Sequence, residues 1–167
     1  MRNLQRVAMA LLLVVSFAVP VLCASKCQSE FDSLRSLAGD WLGTKSDGSP
    51  VHVNYRLVSG GSVVMESIQE PSGGQMVTLY HLDGDTLMMT HYCLANNQPR
   101  MRADAATSTP KAIKFSFVDV TNLASPAAGH MYGHSIAWKD ADHVSQQWTW
   151  RENGRDTTET FELQRQK

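Results

Sequence analysis

Leu37-Ala38-Gly39-Asp40-Trp41-Leu42-Gly43 is where the chain changes its period. Before it, Phe31, Leu34, Leu37 and Ala38 recur at helical spacing, with Ser29, Glu30 and Asp32 near the start. That pattern predicts one short helix from Cys27 to Ala38, ended by Gly39. After it the period becomes two and stays so to the last residues. Val51, Val53, Tyr55 and Leu57 alternate with His52, Asn54 and Arg56, and Ile113, Phe115 and Phe117 alternate with Lys114, Ser116 and Val118. Alternation of this kind marks strands with one face turned inward.

Turn chemistry separates these runs. Ser46-Asp47-Gly48-Ser49-Pro50, Ser59-Gly60-Gly61, Glu70-Pro71-Ser72-Gly73-Gly74, Asp83-Gly84-Asp85, Asp140-Ala141-Asp142 and Glu152-Asn153-Gly154-Arg155 all favour tight reversals. Pro99 to Arg102 reads as a short edge strand, and Thr121 to Gly133 as the longest irregular segment. Roughly ten strands joined by sequential hairpins predict an all-β fold, an up-and-down antiparallel barrel of about 8–10 strands with a short N-terminal helix. A barrel is preferred to a sandwich because closure removes exposed edges.

The first residues belong to a different class of segment. Arg2 and Arg6 precede an apolar run from Val7 to Val19, Pro20 breaks it, and Val21-Leu22-Cys23-Ala24-Ser25 offers small residues for cleavage. This predicts a secretory signal peptide over residues 1–24, a single domain over 25–167, and a secreted or periplasmic location. The run is shorter than the roughly 20 apolar residues of a spanning helix, so no stable membrane span is expected after cleavage. Without Arg2 and Arg6 the chain holds 13 basic and 16 acidic residues, a net charge of −3. No basic stretch dominates, which argues against nucleic-acid binding. Cys27 and Cys93 would remain as a candidate disulfide in an oxidising compartment; the alternative is two thiols, Cys93 being a small buried strand residue.

Candidate site residues gather in Thr90-His91-Tyr92-Cys93 and Asn97-Gln98-Pro99-Arg100-Met101-Arg102. His91 is suited to metal or haem ligation, or to accepting a proton. Arg100 and Arg102, two apart on a strand, point the same way and suit a carboxylate or phosphate. The alternative is a plain strand followed by solvated arginines. Glu66 interrupts the apolar Val63-Val64-Met65-Glu66-Ser67-Ile68. Turned inward it needs a partner, for which Arg56 or Arg102 is available; turned outward it is a surface charge. His130 and His134 would lie ~13 Å apart on a strand, too far to share a metal. Trp148 and Trp150 share a face with Val144 and Gln146, where they line a cavity or fill the interior. The D-x-D pairs fall at turns, which explains them without calcium or catalysis.

The segments Leu37 to Gly43, Tyr80 to Asp85, Thr90 to Cys93, Asn97 to Met101, Asp142 to Thr149 and Glu159 to Leu163 resemble an uncharacterised family of exported bacterial lipocalin-like (calycin-type) barrels. The opening Gly39-x-Trp41-x-Gly43 is more distantly similar to nitrobindin-type ten-stranded barrels. The first resemblance implies a barrel around a pocket, with Arg165 of the closing strand lying over Trp41. The second implies haem bound through one histidine.

The function expected from all this is binding of a small hydrophobic or amphipathic molecule. His91, Arg100 and Arg102 would read its polar end, with Glu66 and Trp41 in the pocket. Val53, Met65, Leu79, Met89 and Phe115 are candidates for an apolar wall whose inward face is open at this point. No cofactor is expected. The alternatives are a haem protein using a barrel histidine, and a hydrolase or isomerase with His91 as general base and Glu66 orienting it. A barrel with a filled interior is the remaining reading.

Overall fold

The computed structural model describes residues 19–70, 73–109 and 111–167. The leader expected over 1–24 therefore lies mostly outside the described residues. Helix α1 (Val19–Arg35) begins earlier than Cys27 and stops near the expected place. Ten strands follow: β1 (Gly39–Lys45), β2 (Pro50–Val58), β3 (Val63–Gln69), β4 (Gln75–Asp83), β5 (Thr86–Tyr92), β6 (Gln98–Ala103), β7 (Ala112–Thr121), β8 (His130–Trp138), β9 (His143–Glu152) and β10 (Arg155–Arg165). Each pairs antiparallel with the next, and β10 pairs with β1, so the sheet closes into an up-and-down barrel.

Closure is built into the opening motif. A Cβ on Gly43 would lie 1.9 Å from the carbonyl oxygen of Glu162, so β1 and β10 approach closely only because Gly43 has none. Trp41 pairs with Arg165 in register and is fully buried. Its indole nitrogen donates to the carbonyl of Leu37 at 2.8 Å. The Arg165 guanidinium lies 4.4 Å above the Trp41 ring, as the family resemblance implies. It also donates to the carbonyls of Ala38 and Ser36, both at 2.8 Å, satisfying acceptors that the end of α1 leaves open. One residue thus ties the last strand, the first strand and the helix together. Trp41 is a structural residue at the helix end of the barrel.

Phe31, Leu34 and Leu37 close that end and join the core made by the inward faces of the strands. Val53, Met89 and Phe115 point inward, as anticipated for the wall. Met65 and Leu79, which pair with each other, are only half-buried and face outward. The register explains this, since the inward residues of β3 are Val64, Glu66 and Ile68. Segment β6 is not an edge strand: it pairs with both β5 and β7, because a closed barrel has no edge. Segment β8 starts at His130, inside the segment expected to be irregular, with a register shift between Met131 and Gly133.

Candidate functional site

A belt of buried polar side chains crosses the barrel interior. Tyr55, Glu66, Thr78 and His91 face one another across β2, β3, β4 and β5, each paired with the next in register. Tyr80 of β4, His134 of β8 and Gln146 and Trp148 of β9 complete the belt, and all eight are buried. Strand alternation places each inward; the registers set which of them meet.

Glu66 is the centre. One oxygen accepts from the Tyr55 hydroxyl at 2.7 Å and from the Gln146 amide, and the other lies 2.8 Å from the Tyr80 hydroxyl oxygen. The same amide nitrogen also reaches the Tyr55 oxygen, while the Gln146 carbonyl accepts from the Trp148 indole at 2.9 Å. Burial pushes the Glu66 carboxyl up from its ordinary value, against hydrogen bonds from Tyr55, Tyr80, Gln146 and Thr78 that pull it down. Burial and the adjacent Glu66 drive both tyrosines well above the usual phenol range.

The two inward histidines flank Trp148. The His134 ring stacks on Trp148 with centroids 3.8 Å apart, and the His91 ring lies tilted at 4.8 Å. His134 Nε2 is 3.1 Å from the Tyr80 hydroxyl, and its Nδ1 is 3.1 Å from the Gln147 carbonyl. His91 Nδ1 is 2.9 Å from the Thr78 hydroxyl, whereas its Nε2 is buried with no partner among the described residues. Burial lowers His91 to about 4. Burial, with His91 as a smaller contributor, lowers His134 to about 3, so both rings are neutral at pH 7.

A recess of about 390 Å³ opens at the end of the barrel opposite α1. Trp148, Trp150 and Met131 line it together with Ser46 and the β10 neighbours Thr157, Thr158 and Glu159. Trp148 is 2% exposed and forms the floor, with both histidine rings packed against its indole. Trp150 is held against the β7–β8 connection, where a Cβ on Gly129 would lie 2.0 Å from its ring. Asn97 donates to the Gly129 carbonyl at 2.9 Å, and the Asn153 amide to that of Ala127 at 3.0 Å, which pins the connection beside the mouth.

Of the residues singled out in the sequence, His91, Glu66, His134 and Trp148 enter the belt. Arg100, Arg102, Trp41 and the two cysteines do not. Glu66 takes neither Arg56 nor Arg102; neutral hydroxyl and amide donors surround it instead. Arg100 and Arg102 do point the same way, but outward, because Met101 between them occupies the core. Arg100 is held by both oxygens of Asp119 on β7, and Arg102 lines an outer cleft beside Glu30 and Asp104 at the helix end. Cys27 and Cys93 are not joined. Cys27 sits 2.7 Å from the Asp85 carbonyl just before β5, and Cys93 follows the end of that strand, ~26 Å away along the strand direction. Thr78, not Glu66, meets His91 Nδ1. Among the described residues no group of three His, Cys, Asp or Glu side chains is placed to hold a metal ion.

Tyr55, Thr78, Tyr80 and Gln146 were not singled out, and His134 was weighed only as half of a metal pair. Their inward positions follow from strand alternation, but their meeting depends on cross-barrel registers that no local pattern encodes.

No family model matches the sequence, and no curated protein is significantly similar to it. Among solved structures, a protein of unknown function from the DUF3598 family of Nostoc punctiforme is similar, with a TM-score of 0.52 and 11% identity over 80% of this chain and 49% of that one. The chain thus spans about half the length of that protein, and the likeness is one of fold alone. EF1p2_mFAP2b bound to DFHBI matches with a TM-score of 0.31 and 12% identity, over 81% of this chain and 98% of that one.

Proposed function

We propose that the barrel binds a small, largely apolar or amphipathic molecule in the recess floored by Trp148. The observation that carries this reading is the mixed lining of that recess, in which Trp148, Trp150 and Met131 lie beside Ser46, Thr157, Thr158 and Glu159. Such a surface offers an apolar body contact with polar groups at its border. The polar end is read here by β10 and the β1–β2 turn rather than by Arg100 and Arg102. The leader at 1–24 would deliver the barrel to the secretory route, as in the exported lipocalin-like proteins it resembles.

The haem alternative would use His91 or His134. His91 Nε2 is sealed from solvent and His134 Nε2 is taken by Tyr80. Neither nitrogen presents an open face, so the interior as packed does not fit a porphyrin. A general-base role for His91 meets the same obstacle.

Native mass spectrometry of the protein purified without refolding tests the proposal. Extra mass that disappears on denaturation, and that is lost in Trp150→Ala, is expected. Extra mass that Trp150→Ala retains would place the ligand elsewhere and overturn the assignment to this recess.

A further inference from the structure

We infer that Glu66, Tyr80 and His134 form one proton-binding unit in the barrel interior, uncharged as a whole, with its extra proton on Glu66 Oε2.

The Gln147 carbonyl can only accept, so the nitrogen facing it at 3.1 Å, His134 Nδ1, carries a hydrogen. A neutral His134 then presents a bare lone pair at Nε2 to the Tyr80 hydroxyl, 3.1 Å away. That hydroxyl also lies 2.8 Å from Glu66 Oε2. Tyr80 has one hydrogen and cannot give it to both. If Glu66 were a carboxylate and His134 neutral, one of two short, fully buried contacts would set lone pair against lone pair. Adding one proton to Glu66 resolves the conflict. Oε2–H donates to the Tyr80 oxygen, and Tyr80 O–H donates to His134 Nε2. Placing the proton on His134 would satisfy the count equally, but it would leave a buried imidazolium and a buried carboxylate on either side of a phenol. The depth of His134 opposes that charge.

The remaining neighbours agree with this assignment. Glu66 is faced by Tyr55 from β2, Thr78 and Tyr80 from β4, His91 from β5, His134 from β8, and Gln146 and Trp148 from β9. None is a cation at pH 7, and no Lys or Arg among the described residues pairs with it. The Tyr55 hydroxyl and the Gln146 amide both donate to Oε1, the oxygen left as an acceptor. The site is therefore shaped for a group with one donor and one acceptor oxygen, which is a carboxylic acid or its amide isostere.

Protein labelled with 13C glutamate, with the Glu66 side chain assigned through its own backbone, reads the state directly. The expected result is a carboxylic-acid carbon shift at pH 7 with no titration near the ordinary value of 4.5. A carboxylate shift at pH 7 would overturn the inference, and so would a titration near 4.5. Glu66→Gln provides a second readout, because its amide reproduces the donor and the acceptor. Above pH 4.5 the unfolding constant of the wild type relative to Glu66→Gln should rise, by up to tenfold per pH unit, until the folded-state carboxyl ionises. A ratio that is flat or falling with pH contradicts the assignment. Should the variant not fold, the carbon shift of the wild type decides alone.

Discussion

Trp148 joins the polar belt to the recess. It stacks on His134, packs against His91, donates to Gln146 and floors the recess. Trp148→Ala should lower stability by about 3–5 kcal/mol, the range for truncating a buried aromatic. It should also admit water to His91, whose ring is held near 4 by burial alone. The His91 titration, followed by NMR, should then move up towards 6.5; an unmoved titration would mean that other side chains provide the seal. The sequence placed Trp148 beside Gln146 on one face and left its role open between filling and lining, and in the structure it does both. Glu66 was legible as an anomaly in an apolar strand. Its partners were not, because Tyr55 and Thr78 meet it through cross-strand register and Gln146 through the closed curvature of the barrel. Arg100 and Arg102 misled because spacing of two shows that residues share a face but not which face; Met101, the apolar residue between them, held the answer.

Elements were easier to read than partners, since each hairpin carries its own turn. Asn153 and Gly154 both have positive φ, 50° and 72°, as a two-residue hairpin turn requires. The seam between β1 and β10 was harder, because it joins residues more than 100 positions apart, and only the family resemblance pointed to Arg165 over Trp41. Two substitutions test the seam. Gly43→Ala forces a methyl into the Glu162 carbonyl and should lower stability by about 3 kcal/mol in urea denaturation, the upper range for overpacking. Arg165→Ala removes contacts to the carbonyls of Ala38, Ser36 and Ala141 and the ring contact, and should cost about 2 kcal/mol. Arg165→Lys should recover less than half of that loss, since one ammonium cannot span these carbonyls and stack on the ring. Full recovery would mean that charge alone matters there.

For the whole molecule, two neutral histidines inside a closed barrel set the acid limit. Both have folded-state pKa values below the ordinary 6.5, so the unfolded chain takes up protons first. Their contribution is complete above pH 6.5 and is lost as pH falls towards about 4 and about 3. The loss approaches about 1.4 kcal/mol per pH unit for each proton taken up. His134→Gln should flatten that slope in urea titrations between pH 6.5 and 4, and an unchanged slope would contradict the sealed interior.

The closed shape also divides the molecule by depth. The helix end is filled by Phe31, Leu34, Leu37 and Trp41, the middle carries the polar belt, and the opposite mouth keeps the recess. Titration with N-phenyl-1-naphthylamine, a neutral aromatic probe, reads ligand binding at that mouth. Saturable one-to-one binding is expected, weakened at least tenfold in Trp150→Ala and unchanged when Arg100 and Arg102 are both replaced by Gln. No saturable binding to the wild type, or binding indifferent to Trp150, would contradict a ligand site in the recess.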